Sequence, residues 1–342
     1  MTATAVQGGR PVSYGFIGLG IMGWGMAKNL RNGISADSNL CVSEINTERL
    51  QQWLGETSGA ITVAKTPLEV VQQSVSSSLH AMPMHANVNL LQDVIITMLP
   101  RGEHVRAVFT NPTNGLLALS KAEVNRPKTF IDCSSIDVKT SRDVAACVEK
   151  SELGQFVDAP VSGGQGGANA GTLTFMVGGS QEAYDAVHPI LSIMGREIMY
   201  CGKAGAGLAT KLINNYMSAV NMIGVCEGMN MGRLYGLDLP TLASVVNTST
   251  GMSRNSREQN PVKGISPTAS SAKDFIGGFS TELCTGVIDM ALELANDLDA
   301  KMITAPTVRK LYGRALESEK TKGKDFRSIY KLFSEEDGRD LP

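Results

Sequence analysis

The chain has 342 residues and a net charge of −2, with 31 basic against 33 acidic side chains. That length predicts two domains. The balanced charge, the lack of Lys/Arg clusters and the lack of an apolar run of about eighteen residues exclude nucleic acid, an anionic membrane surface and a membrane span as expected partners. The six cysteines form no C-x-x-C pair, and several sit in apolar runs and read as reduced core residues, so a reducing compartment is expected. The four histidines show no ligand spacing on a helix, so no catalytic metal is expected. The first ten residues carry one Arg and no hydrophobic signal core. No targeting signal is read there, and the expected compartment is the cytoplasm or the mitochondrial matrix.

The first element is an apolar strand, Val12–Ile17. It runs into Gly18-x-Gly20-x-x-Gly23 and then a helix from Met22 to Leu30. This order suits a dinucleotide. Gly18 permits the turn, Gly20 lets the backbone approach a pyrophosphate, and Gly23 lets the helix pack close to the strand. The helix N-terminus offers free N–H groups and partial positive charge. Gly18, Gly20, Ile21, Met22 and Gly23 are therefore the expected pyrophosphate contacts. The next strand, Leu40–Ser43, ends at Glu44. An acid there accepts hydrogen bonds from an adenosine ribose and repels a 2′-phosphate, so NAD is expected rather than NADP. Gln72 to Asn89 reads as a long Ser-rich surface loop. His80 and His85 lie in it with nothing else at ligand spacing.

Further strands are predicted over Val94–Met98, Thr129–Cys133, Phe156–Ala159, Thr172–Val177 and Ile198–Tyr200, with helices between most of them. Such alternation predicts an α/β, doubly wound, mostly parallel sheet, with the later strands as candidates for antiparallel additions. The strand ending at Cys133 leads into Ser134 and Ser135, which would face cofactor or substrate. Helix capping by Ser135 or Asp137 is an equal alternative. Ser162-Gly163-Gly164 places successive N–H groups beside a hydroxyl, a cradle for a carboxylate.

After Cys201 the pattern becomes helical. A long helix is predicted over Gly205–Tyr235, with others over Leu239–Asn247, Thr281–Leu298, Thr304–Ser318 and Ser328–Phe333. This predicts a Rossmann domain over 11–202 and an all-α domain over 203–335, joined by the long helix. On that helix Lys211, Asn214 and Asn215 share one face among apolar neighbours. A lysine that loses solvation there has a lowered pKa and suits proton transfer near neutrality, and an Asn one turn on can hold a substrate oxygen.

Over about Ser13 to Phe333 the chain resembles the β-hydroxyacid dehydrogenases. The resemblance rests on Phe16-Ile-Gly-Leu-Gly-Ile-Met-Gly23, Ile96-Thr-Met-Leu-Pro100, Asp158–Gly164, Gly205–Asn215 and Gly277-Gly-Phe279. It implies a Rossmann domain, a helical domain with a cleft between them, and dimers or tetramers built through the helical domain. It adds Met98, Leu99 and Pro100 to the cofactor contacts. It implies NAD-dependent oxidation of a small β-hydroxy acid, 3-hydroxyisobutyrate first, to a semialdehyde. Lys211 would take the hydroxyl proton, and Ser135, Ser162, Gly163, Gly164, Asn214 and Asn215 would hold the substrate. Reduction of 2-hydroxy-3-oxopropionate, or turnover of another short β-hydroxy acid, is the alternative.

One departure stands out. The family's second lysine, on the helix after the Gly-Gly-Phe segment, falls on Ile288, or on Gly286 in an ungapped register. Asp289 keeps an acid nearby, and Lys273-Asp274-Phe275 lies on the wrong side of Gly277. A dinucleotide-binding protein with lost or weak catalysis is the alternative of a different class.

Overall fold

The computed structural model describes residues 13–73, 93–121 and 127–334. Its contacts divide the chain into two compact units, Met1–Lys211 and Leu212–Pro342.

The first unit alternates strand and helix. It contains β1 (Tyr14–Ile17), α1 (Gly23–Gly33), β2 (Leu40–Ser43), α2 (Thr47–Glu56), β3 (Ile61–Val63), α3 (Pro67–Gln73), β4 (Asp93–Thr97) and α4 (Gly102–Thr110). Then come β5 (Lys128–Asp132), α5 (Val138–Ser151), β6 (Gly154–Asp158), β7 (Val161–Ser162), α6 (Gly164–Ala170), β8 (Leu173–Gly178), α7 (Gln181–Leu191) and β9 (Gly195–Gly202). Among the described residues these strands form one sheet, ordered β3-β2-β1-β4-β5-β6-β8-β7, with β9 beside β8. The β3-to-β6 part is parallel and has the strand order of a dinucleotide-binding sheet. As the sequence suggested, later strands add antiparallel pairs: β8 runs against β6 and β7. β9, however, is parallel to β8.

Strands buried on both faces explain the near-continuous apolar runs. Phe16, Ile96, Ile131 and Val157 point to one face, under Met26 and Leu30 of α1, Trp53 of α2 and Val187 of α7. Their strand neighbours Ile17, Ile95, Phe130 and Phe156 point to the other, under Val70 of α3, Phe109 of α4 and Val144 of α5. Phe109 meets Phe130 and Phe156 edge-on, with ring centroids 5.7 and 5.6 Å apart.

The second unit is helical, as expected. The long helix α8 (Ala206–Tyr235) starts in the first unit and is followed by α9 (Leu239–Thr248), α10 (Arg254–Arg257), α11 (Thr281–Asp297), α12 (Ala305–Glu317) and α13 (Tyr330–Ser334). Its core gathers Met222 and Cys226 of α8, Cys284 and Ile288 of α11 and Leu311 and Tyr312 of α12.

The sequence reading missed several short elements, β3, β7 and α10 among them. The edge strand β3 has only three residues, too few to show a pattern, and is largely exposed. β7 has two residues, and α10 has four polar ones held by a Ser253–Ser256 capping box. The expected helix at Ser328 begins instead as a 3-10 turn over Phe326–Ile329. Gln72 and Gln73 close α3. The rest of the proposed loop, with His80 and His85, lies outside the described residues. Among the described residues no group of three or more potential ligands could hold a metal ion. In the same residues no helix is long and apolar enough to cross a membrane.

Phe109→Ala removes the hub of the aromatic cluster under β5 and β6. The expected loss is about 3–5 kcal/mol of stability, read as an earlier urea midpoint.

Candidate active site

Ligands of such sheets bind outside the carboxyl ends of the strands, where the order reverses. Here the reversal lies between β1 and β4. Four strand ends there, those of β2, β1, β4 and β5, are knitted by three backbone bonds: Gly18 N–H to Ser43 O at 2.9 Å, Met98 N–H to Ile17 O at 3.0 Å and Cys133 N–H to Thr97 O at 2.8 Å. These bonds bring the glycine loop, Glu44, the Met98–Pro100 loop and Ser134–Ser135 to one edge. Every cofactor contact expected from the sequence lies on it.

The glycine loop has the required form. Gly18 has φ +98°, and a Cβ on it would lie 2.4 Å from Met98 O. A Cβ on Gly20 would meet nothing within 4 Å, so that backbone is open to a ligand. The start of α1 has no side-chain cap and no acid in its first turn. By contrast α2, α5, α7, α9 and α11 are each capped by a side chain. The free N–H groups of α1 therefore suit a pyrophosphate.

Glu44 does two things. Its Oε2 accepts the Leu19 N–H at 2.7 Å and its Oε1 the Asn46 N–H at 2.9 Å. It shapes the glycine loop, and its carboxylate keeps lone pairs for a ribose hydroxyl.

Of the two capping candidates, Asp137 takes the role. Asp137 caps α5, accepting the Thr140 N–H at 2.7 Å, and Ser135 stays half-buried on the loop. Ser134 differs from the open contact expected: its hydroxyl is fully buried. It donates to Asp132 Oδ1 at 2.5 Å and accepts the Leu99 N–H at 2.9 Å. Thr97 donates to the same Asp132 oxygen at 2.7 Å. Asp132 thus ties two cofactor-side loops together. Burial raises its pKa, opposed by the Ser134 and Thr97 hydroxyls.

Asp132 pairs in register with Asp158 on β6. Asp158 is also buried, and its two oxygens accept the Gly205 and Leu208 N–H groups at 2.6 and 2.9 Å. Burial outweighs those bonds and pushes its pKa up to about 6. The sequence reading assigned neither acid a role of its own. The available signal was an apolar pair followed by Asp at the ends of two adjacent strands, Phe130-Ile-Asp132 and Phe156-Val-Asp158.

After Asp158 the chain passes through Ser162, half-buried on β7, to the exposed Gly163 and Gly164, with φ of +137° and +64°. The loop is steadied where α6 docks on α1, with Asn29 donating to Ala168 O at 2.7 Å.

Lys211 is 8% exposed, and burial lowers its amine pKa to about 8. Among the described residues no ion pair of Lys211 is found. Asn215 follows one turn later, half-buried. Asn214 is exposed and donates to Asn215 Oδ1 at 3.2 Å. In the second unit, Ile288 belongs to the core, whereas Gly286 lies on the exposed side of α11 with open space around it. Asp289 is ion-paired with Arg309.

Comparison with known proteins gives a consistent picture. Residues 13–202 match the family described as the NAD binding domain of 6-phosphogluconate dehydrogenase. Residues 205–333 match that described as the NAD-binding domain of NADP-dependent 3-hydroxyisobutyrate dehydrogenase. The chain is 37% identical to a probable mitochondrial 3-hydroxyisobutyrate dehydrogenase of Arabidopsis thaliana, covering 93% of this chain and 86% of that protein. It is 36% identical to the mitochondrial 3-hydroxyisobutyrate dehydrogenase of Drosophila melanogaster, covering 98% and 93%. The chain belongs to the β-hydroxyacid dehydrogenase family.

A solved β-hydroxyacid dehydrogenase of this kind, the Mycobacterium tuberculosis 3-hydroxyisobutyrate dehydrogenase with L-serine, superposes with a TM-score of 0.79 at 29% identity. The match covers 94% of this chain and 99% of that one. As a member of the family, the protein is an oxidoreductase acting on a CH–OH group with a nicotinamide dinucleotide.

Ser134→Ala leaves the Leu99 N–H without its acceptor and removes a donor from Asp132. The expected cost is about 1–3 kcal/mol of stability. Dinucleotide titration should show weaker binding as well, because the loop it holds lines the same edge.

Proposed function

We propose that the protein oxidises 3-hydroxyisobutyrate to methylmalonate semialdehyde with NAD, reversibly, and that Lys211 is the base. The observation that carries this reading is a buried amine with a pKa of about 8, one turn beyond the start of a helix held on the sheet's carboxyl edge. An amine of that pKa exchanges protons near neutrality, as a general base must.

Lys211 Nζ takes the proton of the substrate β-hydroxyl. A nicotinamide dinucleotide, when bound, would supply the acceptor for the carbinol hydride. Ser135, Ser162 and the N–H groups of Gly163 and Gly164 hold the substrate carboxylate, and Asn215, supported by Asn214, holds the hydroxyl. Gly18, Gly20, Ile21, Met22 and Gly23 cradle the pyrophosphate. Met98, Leu99, Pro100 and the Ser134 loop line the nicotinamide side. Glu44 takes the adenosine ribose and disfavours a 2′-phosphate, which is the basis for NAD over NADP.

Residues 11–202 serve as the cofactor domain and 203–335 as the substrate and assembly domain. A homodimer or homotetramer through the helical domain is supported by the apolar exposure on α8, where Met231 is 70% and Tyr235 83% exposed. The compartment is the cytoplasm or the mitochondrial matrix. The relatives from Arabidopsis and Drosophila, named as mitochondrial, support the second.

The test is initial-rate NADH formation with (S)-3-hydroxyisobutyrate beside 3-hydroxypropionate, glycerate and serine. The expected result is the highest kcat/KM on 3-hydroxyisobutyrate. A higher value on another acid would reassign the substrate, and no turnover on any would remove the catalytic reading. Lys211→Ala should lower kcat by roughly 10²–10⁴-fold with NAD affinity kept. Glu44→Gln keeps an acceptor for the Leu19 N–H but removes the charge. It should narrow the NAD/NADP preference by roughly tenfold, the scale of one charge repulsion near a surface. An unchanged ratio would sink the ribose assignment.

A further inference from the structure

The start of α8 is held by an acid distant in sequence. The segment leading into it, Gly202-Lys-Ala-Gly-Ala-Gly207, holds no Ser, Thr, Asp or Asn that could cap it locally. Its first N–H groups are satisfied instead from Asp158, 47 residues earlier in sequence, which accepts the Gly205 N–H on one oxygen and the Leu208 N–H on the other.

The surrounding backbone leaves room for this grip. A Cβ on Gly178 would lie 2.4 Å from Asp158 Oδ1, and one on Gly207 would lie 2.8 Å from Asp158 Oδ2 and 2.1 Å from Met176 O. Two glycines thus let a helix end, a strand end and a carboxylate meet at contact distance. Leu208, fully buried, belongs to the core on one face of the sheet, which helps to fix the rotation of that first turn.

We propose that Asp158 is a positioning residue for the reaction: by clamping the N-terminus of α8 to the sheet, it sets the place of Lys211, three residues beyond Leu208. This rests on the reading of Lys211 as the base.

The energetics argue against a filler role. A buried carboxylate is costly, and the pKa of Asp158 is pushed up to about 6 despite its two bonds. Its register partner Asp132 adds like-charge repulsion. An apolar side chain would pack at that strand end at lower cost. What it would not supply is a two-oxygen acceptor aligned with the positive end of a helix dipole. The helix so held carries the reactive amine, and a misplacement of about 1 Å there is worth roughly 10²-fold in rate.

The test compares Asp158→Asn, Gly178→Ala and Lys211→Ala with the parent chain, each corrected for its folded fraction. Asp158→Asn keeps one acceptor and turns an amide donor toward the second N–H. Gly178→Ala keeps the carboxylate but crowds it from its seat, and serves if the first variant folds poorly. Three readouts are taken: kcat, NAD affinity by titration, and amide hydrogen exchange over residues 205–211.

The expected result is faster exchange in that segment and a loss of kcat of roughly 10²-fold. NAD affinity should stay within about threefold, since the clamp lies outside the glycine loop. Unchanged exchange, or an unchanged kcat beside faster exchange, would overturn the proposal and leave Asp158 as a stability residue. The Lys211→Ala arm separates the two ideas. Persistent turnover in that variant removes the lysine as base, and exchange in the Asp158→Asn chain then still shows whether the clamp exists.

Discussion

Two carboxylates at the ends of neighbouring strands organise the reactive edge. Asp132 gathers Thr97 and Ser134 and, through Ser134, the Leu99 amide. Asp158, paired with it in register, gathers the first turn of α8. Neither acid is open to solvent. Each converts strand position into the position of a loop or helix that would touch ligand. Groups set on a rigid sheet in this way need little reorganisation when charge moves.

The same burial that makes these acids costly tunes the amine. Lys211 has its pKa lowered by desolvation. Desolvation disfavours the charged form, so the neutral amine is populated at neutral pH far more than on an exposed lysine. A lysine with a carboxylate beside it would be pushed the other way. The acid nearest in the chain's logic, Asp158, spends its oxygens on the Gly205 and Leu208 amides instead. The last amide that Asp158 holds and the base thus lie three residues apart along one helix.

Much of this was legible in the sequence. The glycine loop, the ends of β2, β4 and β5 and the long helix all lie where periodicity and turn residues put them, because strands buried on both faces leave a plain apolar run. The lysine was legible for the same reason, as a charge set in apolar helix spacing. What was hidden depends on contacts distant in sequence. Ser134 looks like an exposed site hydroxyl until its partners Asp132 and Leu99 are known. Asp158 looks like part of a substrate motif until α8 is seen ending on it. The Ile288/Gly286 ambiguity was one of register. Ile288 sits in the second unit's core and Gly286 on the exposed side of α11, so the ungapped position is the one that faces outward.

The most direct test of the central claim is the pH dependence of kcat/KM for hydroxy-acid oxidation, in the parent chain and in Lys211→Ala. A base must be neutral to accept a proton, so the rate constant should fall tenfold per pH unit below the amine pKa and level off above it. The expected limb lies near pH 8 in the parent and is absent from the residual activity of the variant. A flat profile through that region, or the same limb surviving without the lysine, would contradict it.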